Sequence, residues 1–357
     1  MRQQGRNNNI ILSQGCVKQI MGSVIPLKKY ANSAYLDLRR LVSNKLDKVE
    51  SLIYQKLESK VDLIQKLTSH HLNSGGKRLR ALLTLGSSKL AGYDLGERDI
   101  NLSCCVELIH SATLLHDDVI DESILRRGNK TTNTIWGNKS SILTGDYLLS
   151  RCFEIMVEDG DLEILKLLSS TSAKIAQGEV LQLQHKGEAD LLEETYIKII
   201  NLKTAALFSA ATETGACLGK LGEKEKKALG SYGKNLGLAF QIADDALDYF
   251  AKEILFGKEI GKDFYEGKTT LPLIIIFQRA NEEERNFLKE ILKREKRNED
   301  DFSEVLALIN KYKAVEKSLE RAKYFVDVSK DALAIFPESK EKKILQSLSS
   351  FSLNRSY

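Results

Sequence analysis

Two long segments of this 357-residue chain are apolar on nearly every side and end in clustered aspartates. A helix that is hydrophobic all round lies in the middle of a protein, so residues 102–120 and 236–250 predict two central helices. Carboxylates at the ends of such helices need a counter-charge, because moving an ion out of water is costly. Both clusters read D-D-x-x-D: Asp117, Asp118 and Asp121 in the first segment, and Asp244, Asp245 and Asp248 in the second.

The rest of the chain also favours helices. Apolar residues recur at helical spacing from about residue 34 onward, while period-two runs of β-branched residues are scarce. Only three prolines occur, and the glycine-bearing breaks are short, so none of them resembles a linker between domains. We therefore predict one all-α domain over residues 26–357, preceded by an unstructured extension over residues 1–25.

Charge and composition exclude several classes of protein. The first 36 residues carry five basic and no acidic side chains, and the remainder is balanced at 48 basic against 49 acidic. A balanced body lacks the basic face that binds nucleic acid, so we expect no nucleic-acid partner. No apolar stretch approaches the roughly 20 residues of a spanning helix, which excludes an integral membrane protein. Five cysteines without a C-x-x-C pair favour reduced thiols in a cytosol-like compartment.

The basic, acid-free start of the chain leaves several interpretations open. A frayed terminus is the ordinary one. An organellar targeting leader fits the same composition, and so does a start assigned too early, with Met21 as the first residue. We expect a cytoplasmic protein, with an organellar matrix as the alternative if residues 1–25 are a leader.

The spacing within each aspartate cluster indicates a metal. Residues four apart on a helix share a face, so Asp117 lies beside Asp121, and Asp244 beside Asp248. Like charges at that spacing repel, and a hard divalent cation offsets them. Mg²⁺ prefers oxygen ligands and takes one or two carboxylates together with substrate phosphates. We expect the two clusters to face each other across a cavity that holds a phosphorylated substrate.

Cationic side chains accompany the aspartates. Residues 75–80 place three cations at the expected start of a helix, where backbone N–H groups also favour anions. Arg126 and Arg127 follow the first cluster, and His110 lies two helical turns before Asp117 on the same face. Together with the aspartates they predict two anionic groups, one bound through metal and one bound directly by guanidinium and ammonium groups.

At this level of detail the chain resembles the all-trans polyprenyl diphosphate synthases, and among them the long-chain, octaprenyl diphosphate synthase-like members. The resemblance runs from about residue 45 to the C-terminus and implies an orthogonal helical bundle around a central cavity, of the isoprenoid synthase type. The matching segments, in the family's order, are GGKRLRALL (75–83), ELIHSATLLHDDVID (107–121), RRGNKTTN (126–133), WGNKSSILTGDYLL (136–149), QGEVLQL (177–183), KTAALF (203–208), FQIADDALDYF (240–250) and GKDFYEGKTTLPLI (261–274).

The resemblance implies a role for each matching position. The magnesium ligands, expected to hold about three ions with the allylic diphosphate, are Asp117, Asp121 and Asp244. The catalytic set adds Asp118, Asp245, Asp248 and Lys203. Contacts to isopentenyl diphosphate are implied for Lys77, Arg80, His110 and Arg127. Contacts to the allylic diphosphate are implied for Arg126, Lys203, Thr204, Gln241, Lys258 and Lys268.

The resemblance further implies head-to-tail prenyl transfer by a homodimer. Short-chain members of the family place bulky aromatic residues one turn before the first motif, about 5.4 Å along the helix. This chain has Ser111, Ala112 and Thr113 there. A growing product would pass these small side chains into an apolar tunnel, which predicts a membrane-lipid product of about C40, with C45 or C50 as alternatives. A quinone side chain is the expected use.

Three other functions remain as alternatives. A class I terpene cyclase shares the first motif, but its second motif usually ends in S/T-x-x-x-E and it needs no second diphosphate site. A metal phosphohydrolase would use His116 and Asp117 with His70, His71 and His110, but that leaves the second aspartate cluster unexplained. A non-catalytic subunit of a heteromeric synthase typically loses aspartates, and all six are present here.

Overall fold

The structure is a computed structural model that describes residues 33–94, 96–249 and 260–353. The extension 1–25, the domain boundary at residue 26 and the candidate Lys258 lie outside these residues. The N-terminal half contains α1 (33–41), α2 (Ser43–Lys56), α3 (Asp62–Asn73), α4 (Leu79–Leu90), α5 (Arg98–Ile120), α6 (Thr132–Trp136), α7 (Asn138–Asp159) and α8 (Leu162–Gln184). The C-terminal half contains α9 (Glu193–Ile200), α10 (Ala206–Leu218), α11 (Glu223–Leu247), α12 (Lys262–Glu266), α13 (Leu271–Arg279), α14 (Glu282–Lys293), α15 (Glu299–Tyr312), α16 (Ala314–Ala332) and α17 (Lys340–Ser349).

The fold is all-α, as predicted. Within the described residues the strands are a single antiparallel pair, β1 (Leu125–Arg126) and β2 (Asn129–Lys130). A π-helical turn, Asn201–Ala205, joins α9 to α10, and short 3₁₀ turns follow α16 and α17. No helix among the described residues has both the length and the apolarity needed to cross a bilayer.

The two apolar segments form the central helices that their composition predicts. Helix α5 packs against α2, α4, α7 and α10, and nearly every residue of its middle is buried. Helix α11 packs against α10 and α16 and connects the two hydrophobic cores. Leu236 belongs to the core around α5, whereas Leu238 belongs to the core that α13, α15 and α16 complete.

Both aspartate clusters lie at the C-terminal ends of these helices, where Asp121 and Asp248 are the capping residues. The C-terminal end of a helix carries a partial negative charge, so an acidic side chain there is destabilising by about 0.3–1 kcal/mol at an exposed position. Helix stability does not explain the clusters. They need cations from elsewhere in the fold.

Two glycines allow other helices to approach the π-helical turn closely. A Cβ atom on Gly178 of α8 would lie 2.7 Å from the backbone nitrogen of Lys203. A Cβ atom on Gly237 of α11 would lie 2.7 Å from Cα of Ala205. The turn is therefore held between α8 and α11, and its side chains lie between the two central helices. Irregular turns of this type occur frequently at functional sites.

The hairpin after α5 positions the two arginines of the RRGNKTTN segment. Its two-residue turn, Arg127-Gly128, has positive φ at both positions (52° and 79°), as expected for the tight turn that matches strand twist. Thr131 closes the base of the hairpin, because its hydroxyl donates to the carbonyl oxygen of Ser123 at 2.6 Å. The base of the hairpin therefore lies at the end of α5, beside the first aspartate cluster.

Candidate active site

The first aspartate cluster meets two lysines from distant parts of the chain. Nζ of Lys203 lies 4.0 Å from Oδ1 of Asp117, and Nζ of Lys268 lies 2.9 Å from Oδ2 of Asp121. Lys268 also contacts Glu266 at 2.8 Å. Both aspartate side chains are largely buried, with 20% and 16% of their surface exposed. The lysines supply part of the counter-charge that the sequence demands.

Burial affects the two carboxyl groups differently. It raises the pKa of Asp117 to about 6; Lys203 opposes this shift, while Glu179 and Asp121 add to it. Burial also acts to raise the pKa of Asp121, but Lys268 outweighs it and the net direction is downward. Asp117 is therefore partly protonated near neutral pH when no cation other than the lysines is near. A divalent ion would replace that proton.

Two side chains of α8 hold Lys203 in place. Glu179 forms an ion pair with its ammonium group, and Oε1 of Gln182 accepts a hydrogen bond from Nζ at 2.9 Å. Neither residue is among the sequence-predicted site residues. The sequence feature that could have identified Glu179 and Gln182 is the QGEVLQL segment (177–183), in which these two positions share a helix face.

The second cluster centres on a buried carboxylate. The hydroxyl of Tyr196 donates to Oδ2 of Asp245 at 2.6 Å, and Nε2 of Gln241 donates to Oδ1 at 2.7 Å. Thr204 in turn donates to Oε1 of Gln241 at 2.8 Å. Burial raises the pKa of Asp245 to about 6, although both hydrogen bonds oppose the shift. Tyr196 carries no sequence signal of its own, since the notable motifs do not include it.

Asp248 stabilises the loop that leads to α12. Its Oδ2 accepts a hydrogen bond from the backbone nitrogen of Asp263 at 2.9 Å, and its carbonyl oxygen accepts one from Gly261 at 3.0 Å. Asp263 is a further acid that sequence reasoning did not select. Burial, and then the charges of Asp245 and Asp248, raise its pKa well above the usual range. Asp244, the predicted metal ligand of this cluster, lies beside them and is partly exposed.

Two connections join the clusters. Thr204 and Lys203 are neighbours in the π-helical turn, so one connection runs from Asp117 through this turn and Gln241 to Asp245. The other runs from Asp121 to Lys268, whose backbone nitrogen donates to the carbonyl oxygen of Asp263 at 2.8 Å. The two clusters are therefore linked through neighbouring side chains and do not lie on opposite sides of the molecule.

Beside α5 lie Arg126, predicted to contact the allylic diphosphate, and Arg80 and Lys77, predicted to contact isopentenyl diphosphate. The guanidinium of Arg126 binds the buried carboxylate of Asp118 at 2.8–3.1 Å. Arg80 lies over the ring of Phe208, 4.8 Å from its centroid. The Lys77 ammonium lies over the ring of Phe351 at 5.2 Å, so the structure directs it towards the C-terminal turn.

His110 lies two helical turns before Asp117 on the same face of α5, in positively charged surroundings. Burial lowers its pKa well below the usual value, and Arg80, Arg126, His71 and Arg127 act in the same direction. His116, by contrast, packs against α7, where its Nε2 lies 3.2 Å from the carbonyl oxygen of Ile142. His70 contacts the hairpin. The histidines therefore do not assemble around Asp117 as the phosphohydrolase alternative requires.

The three small residues before the first motif lie in the interior. Ala112 is fully buried and Ser111 is 4% exposed. The Thr113 hydroxyl donates to the carbonyl oxygen of His110 at 2.8 Å. Leu108 and Ile109, one turn further from the aspartates, are also fully buried. The wall of α5 below the site is thus apolar and lacks bulky aromatic side chains.

The donor set suits a magnesium ion that binds together with a diphosphate. Among the residues that the structure describes, no three acidic, histidine or cysteine side chains form a ready metal site. Mg²⁺ does not require one, because it commonly takes one or two carboxylates and completes its shell with phosphate oxygens and water. The raised pKa of Asp117 marks an oxygen donor that lacks sufficient positive charge. Asp117, Asp121 and Asp244 are the residues that would hold the ion.

The fold and these contacts describe an all-α protein in which two aspartate clusters lie beside lysine and arginine side chains. Comparison with known proteins is consistent with this description of the fold and the site. The sequence profile described as Polyprenyl synthetase matches residues 61–309. The chain is 36% identical over 331 residues to the octaprenyl diphosphate synthase of Haemophilus influenzae, covering 93% of this chain and 100% of that protein.

Further relatives carry names that give other product lengths. The all-trans-nonaprenyl-diphosphate synthase (geranyl-diphosphate specific) of Rhodobacter capsulatus is 36% identical, with 89% of this chain and 97% of that one covered. A crystal structure of polyprenyl synthase from Caulobacter crescentus CB15, complexed with calcium and isoprenyl diphosphate, superposes with a TM-score of 0.86 at 42% identity, covering 90% and 98% of the two chains. The chain belongs to the polyprenyl synthetase family and is an enzyme of the prenyl diphosphate synthase class.

Proposed function

We propose that this enzyme condenses an allylic diphosphate, such as farnesyl diphosphate, with successive isopentenyl diphosphates to give an all-trans polyprenyl diphosphate. One observation carries the proposal. The two aspartate clusters are linked through Lys203 and Lys268, and Arg126 in the neighbouring hairpin, next to Arg127, pairs with Asp118 of the first cluster. Such a site accepts two diphosphates in different ways, one through metal and one directly.

The allylic diphosphate would bind between the two clusters. Magnesium, when bound, supplies the charge neutralisation that lets diphosphate depart. Lys203 and Lys268 point at the same region and stabilise the negative charge that develops as the allylic C–O bond breaks and its electron pair leaves with diphosphate. Preorganised donors of this kind are worth about 10²–10³ in rate each. Glu179 and Gln182 keep the Lys203 ammonium directed towards Asp117.

Isopentenyl diphosphate would bind beside Arg80 and Arg127. Its double bond attacks the allylic carbon, a C–C bond forms, and a proton is then lost to an oxygen of the released diphosphate. No serine or cysteine nucleophile is needed. The contribution of the protein to this step is orientation, because holding both reactants in register removes entropy from the barrier. His110, Arg80 and Arg127 would hold the diphosphate, while the wall of α5 receives the growing tail.

A long product is the proposal that the α5 wall supports best. Ser111, Ala112 and Thr113 leave room where an aromatic residue would stop the chain, and we propose about C40, with C45 and C50 as alternatives. The relatives named octaprenyl and nonaprenyl synthases are consistent with this range. A polyprenyl tail of this length suits a quinone side chain. We also propose that the enzyme works as a homodimer.

A single incubation tests the proposed function. The purified chain is given magnesium, farnesyl diphosphate and labelled isopentenyl diphosphate, and the products are sized by reverse-phase chromatography. We expect long labelled products, and release of inorganic diphosphate only when both substrates are present. A terpene cyclase would release diphosphate from the allylic substrate alone, and a phosphohydrolase would attack either substrate alone. A non-catalytic subunit would release none. Each of those results would contradict the proposal.

A further inference from the structure

Tyr196 belongs to the hydrogen-bond network around Asp245 but lies outside the motifs that identify the site. It is 2% exposed, and its hydroxyl donates to Oδ2 of Asp245 at 2.6 Å. We propose that Tyr196 is a positioning residue of the allylic diphosphate site, because it fixes the orientation of Thr204 through Asp245 and Gln241. The inference rests on the proposed function, since it concerns the same site.

The network joins two helical segments at two points. Tyr196 of α9 and Thr204 of the π-helical turn belong to one continuous helical stretch, residues 193–218. Gln241 and Asp245 lie one turn apart on α11. Nε2 of Gln241 donates to Oδ1 of Asp245 at 2.7 Å, and the hydroxyl of Thr204 donates to Oε1 of Gln241 at 2.8 Å. Side chains therefore attach the stretch to α11 at both of its ends in the network.

Each hydrogen bond in this network has one direction. Both carboxylate oxygens of Asp245 accept, one from Tyr196 and the other from the amide nitrogen of Gln241. Because an amide carries its donor and its acceptor on different atoms, the carbonyl oxygen of Gln241 is turned towards Thr204. A carbonyl oxygen only accepts, so the hydroxyl of Thr204 must donate to it. The hydroxyl hydrogen of Thr204 is thereby held within the network.

The Tyr196 hydroxyl maintains this order from its far end. The Asp245 side chain lies in the interior, where the residue is 4% exposed. Without the phenol, Oδ2 of Asp245 would lose its donor, and a buried acceptor that lacks a partner is unfavourable. The carboxylate would then rotate or admit water to recover a hydrogen bond. Either change disturbs the hydrogen bond to Gln241 and, through it, the orientation of Thr204.

The orientation of Thr204 matters because the next residue towards the N-terminus is Lys203. The Lys203 ammonium lies 4.0 Å from the carboxylate of Asp117. The turn is in close backbone contact with α11, since a Cβ atom on Gly237 would lie 2.7 Å from Cα of Ala205. A small displacement along α11 therefore changes how the turn meets the first aspartate cluster. Misplacement of this kind, caused far from the reacting atoms, lowers the rate of the chemical step.

Steady-state kinetics of the full-length enzyme test the inference. The assay contains magnesium, farnesyl diphosphate and isopentenyl diphosphate, and it measures the release of inorganic diphosphate. Tyr196→Phe removes one hydroxyl group and keeps the ring. We expect kcat to fall about tenfold, as for the loss of a hydrogen bond to a charged group, while KM for isopentenyl diphosphate changes little.

A double-mutant cycle tests the route of the effect. Gln241→Met keeps an unbranched side chain but removes the amide that links Asp245 to Thr204. This variant should lower kcat by itself. Adding Tyr196→Phe should then lower kcat little further, because the phenol acts through the missing amide.

Tyr232→Phe is the matched control. Tyr232 is another buried tyrosine, and its hydroxyl donates to the carbonyl oxygen of Leu345 at 2.8 Å, in the core. This variant loses a hydroxyl of the same kind and should keep the wild-type kcat. Thermal melting is measured for both tyrosine variants, and rates are compared at a temperature at which both are folded.

The possible outcomes separate the inference from the proposed function. A wild-type kcat in Tyr196→Phe would overturn the inference alone. Equal losses of kcat in the Tyr196 and Tyr232 variants would also overturn it, since they would indicate a general loss of stability. Additive effects of Tyr196→Phe and Gln241→Met would exclude the route through Gln241 and overturn it as well. Absence of prenyl transfer by the wild type would overturn the proposed function.

Discussion

The Lys203 ammonium lies 4.0 Å from the carboxylate of Asp117, although the two residues belong to different central elements of the fold. The π-helical turn presents this lysine to the end of α5 and, through Thr204, reaches Gln241 on α11. One irregular turn thereby aligns both aspartate clusters. Glu179 and Gln182 on α8 hold the lysine ammonium beside Asp117.

The aspartate clusters provide the most direct test of the site. Asp117→Ala and Asp244→Ala should each lower kcat by at least about 10²-fold, as expected for loss of transition-state charge stabilisation. The fold should survive, because removing a poorly balanced buried charge does not create a large cavity. Diphosphate release and circular dichroism measure both effects. Asp37→Ala, in an exposed pair with Arg40 on α1, is the control. Near-normal turnover of both site variants under saturating magnesium would contradict the assignment.

Glu179 should act by positioning Lys203. Glu179→Gln removes the ion pair but keeps the size of the side chain. We expect kcat to fall about tenfold, which corresponds to about 1.4 kcal/mol in the activation barrier, while KM for isopentenyl diphosphate changes little. Because the charge of Glu179 raises the pKa of Asp117, the acidic limb of the pH–rate profile should move to lower pH. Glu163→Gln, on the same helix and paired with Lys226, provides the matched control. An unshifted acidic limb would contradict this role.

The buried carboxyl of Asp245 should make the metal-free enzyme less stable as pH rises. Its folded pKa of about 6 lies above the unfolded value of 3.8, so its contribution is fully present below about pH 4 and is lost as pH increases through 6. Urea denaturation across this range should show that loss in the wild type. Asp245→Asn should show a smaller pH dependence, and Tyr196→Phe should extend the loss to higher pH, because the tyrosine hydrogen bond lowers the pKa. Identical slopes in all three proteins would contradict the prediction.

The product-length proposal predicts the effect of a bulky residue on α5. Ala112→Tyr should shorten the main product if the tail passes this position, and Thr113→Tyr should act at a neighbouring, partly exposed site. Reverse-phase chromatography measures the chain length. Thermal melting must accompany it, since overpacking a core costs about 1–3 kcal/mol. Two folded, active variants with unchanged product length would rule out α5 as the limiting wall.

The proposed homodimer predicts a surface that should be sensitive to charge. Helices α7 and α8 expose large apolar side chains that include Leu143, Phe153, Val157, Val180 and Leu183, with 51–68% of their surface accessible. Apolar side chains exposed on two helices are where we expect the partner subunit to bind. Leu143→Glu should therefore shift the protein towards monomer in sedimentation experiments. Leu63→Glu, on α3, is a comparable exposed control. A wild-type monomer would contradict the proposal.

Much of the site could be predicted from the sequence, because the relationships involved are between residues close together in the chain. The i, i+4 spacing places Asp117 and Asp121 on one face of the helix, and the charge of Asp121 contributes to the raised pKa of Asp117. The apolar character of residues 102–120 required a central helix, and α5 is central. His110 lies on the same face of the helix as Asp117, two turns earlier. These conclusions depend only on helix geometry and on the cost of burying charge.

The sequence by itself thus determined the helical class and the two central helices. It also determined that the acidic ends of these helices require cations nearby. Only the tertiary structure decided which side chains meet that need. Tyr196 and Asp245 are 49 residues apart, and Lys268 and Asp121 are 147 apart. A helical period says nothing about such distances, because the pairing arises when separate helices pack. The same packing brought the backbone nitrogen of Asp263 within 2.9 Å of the Asp248 carboxylate.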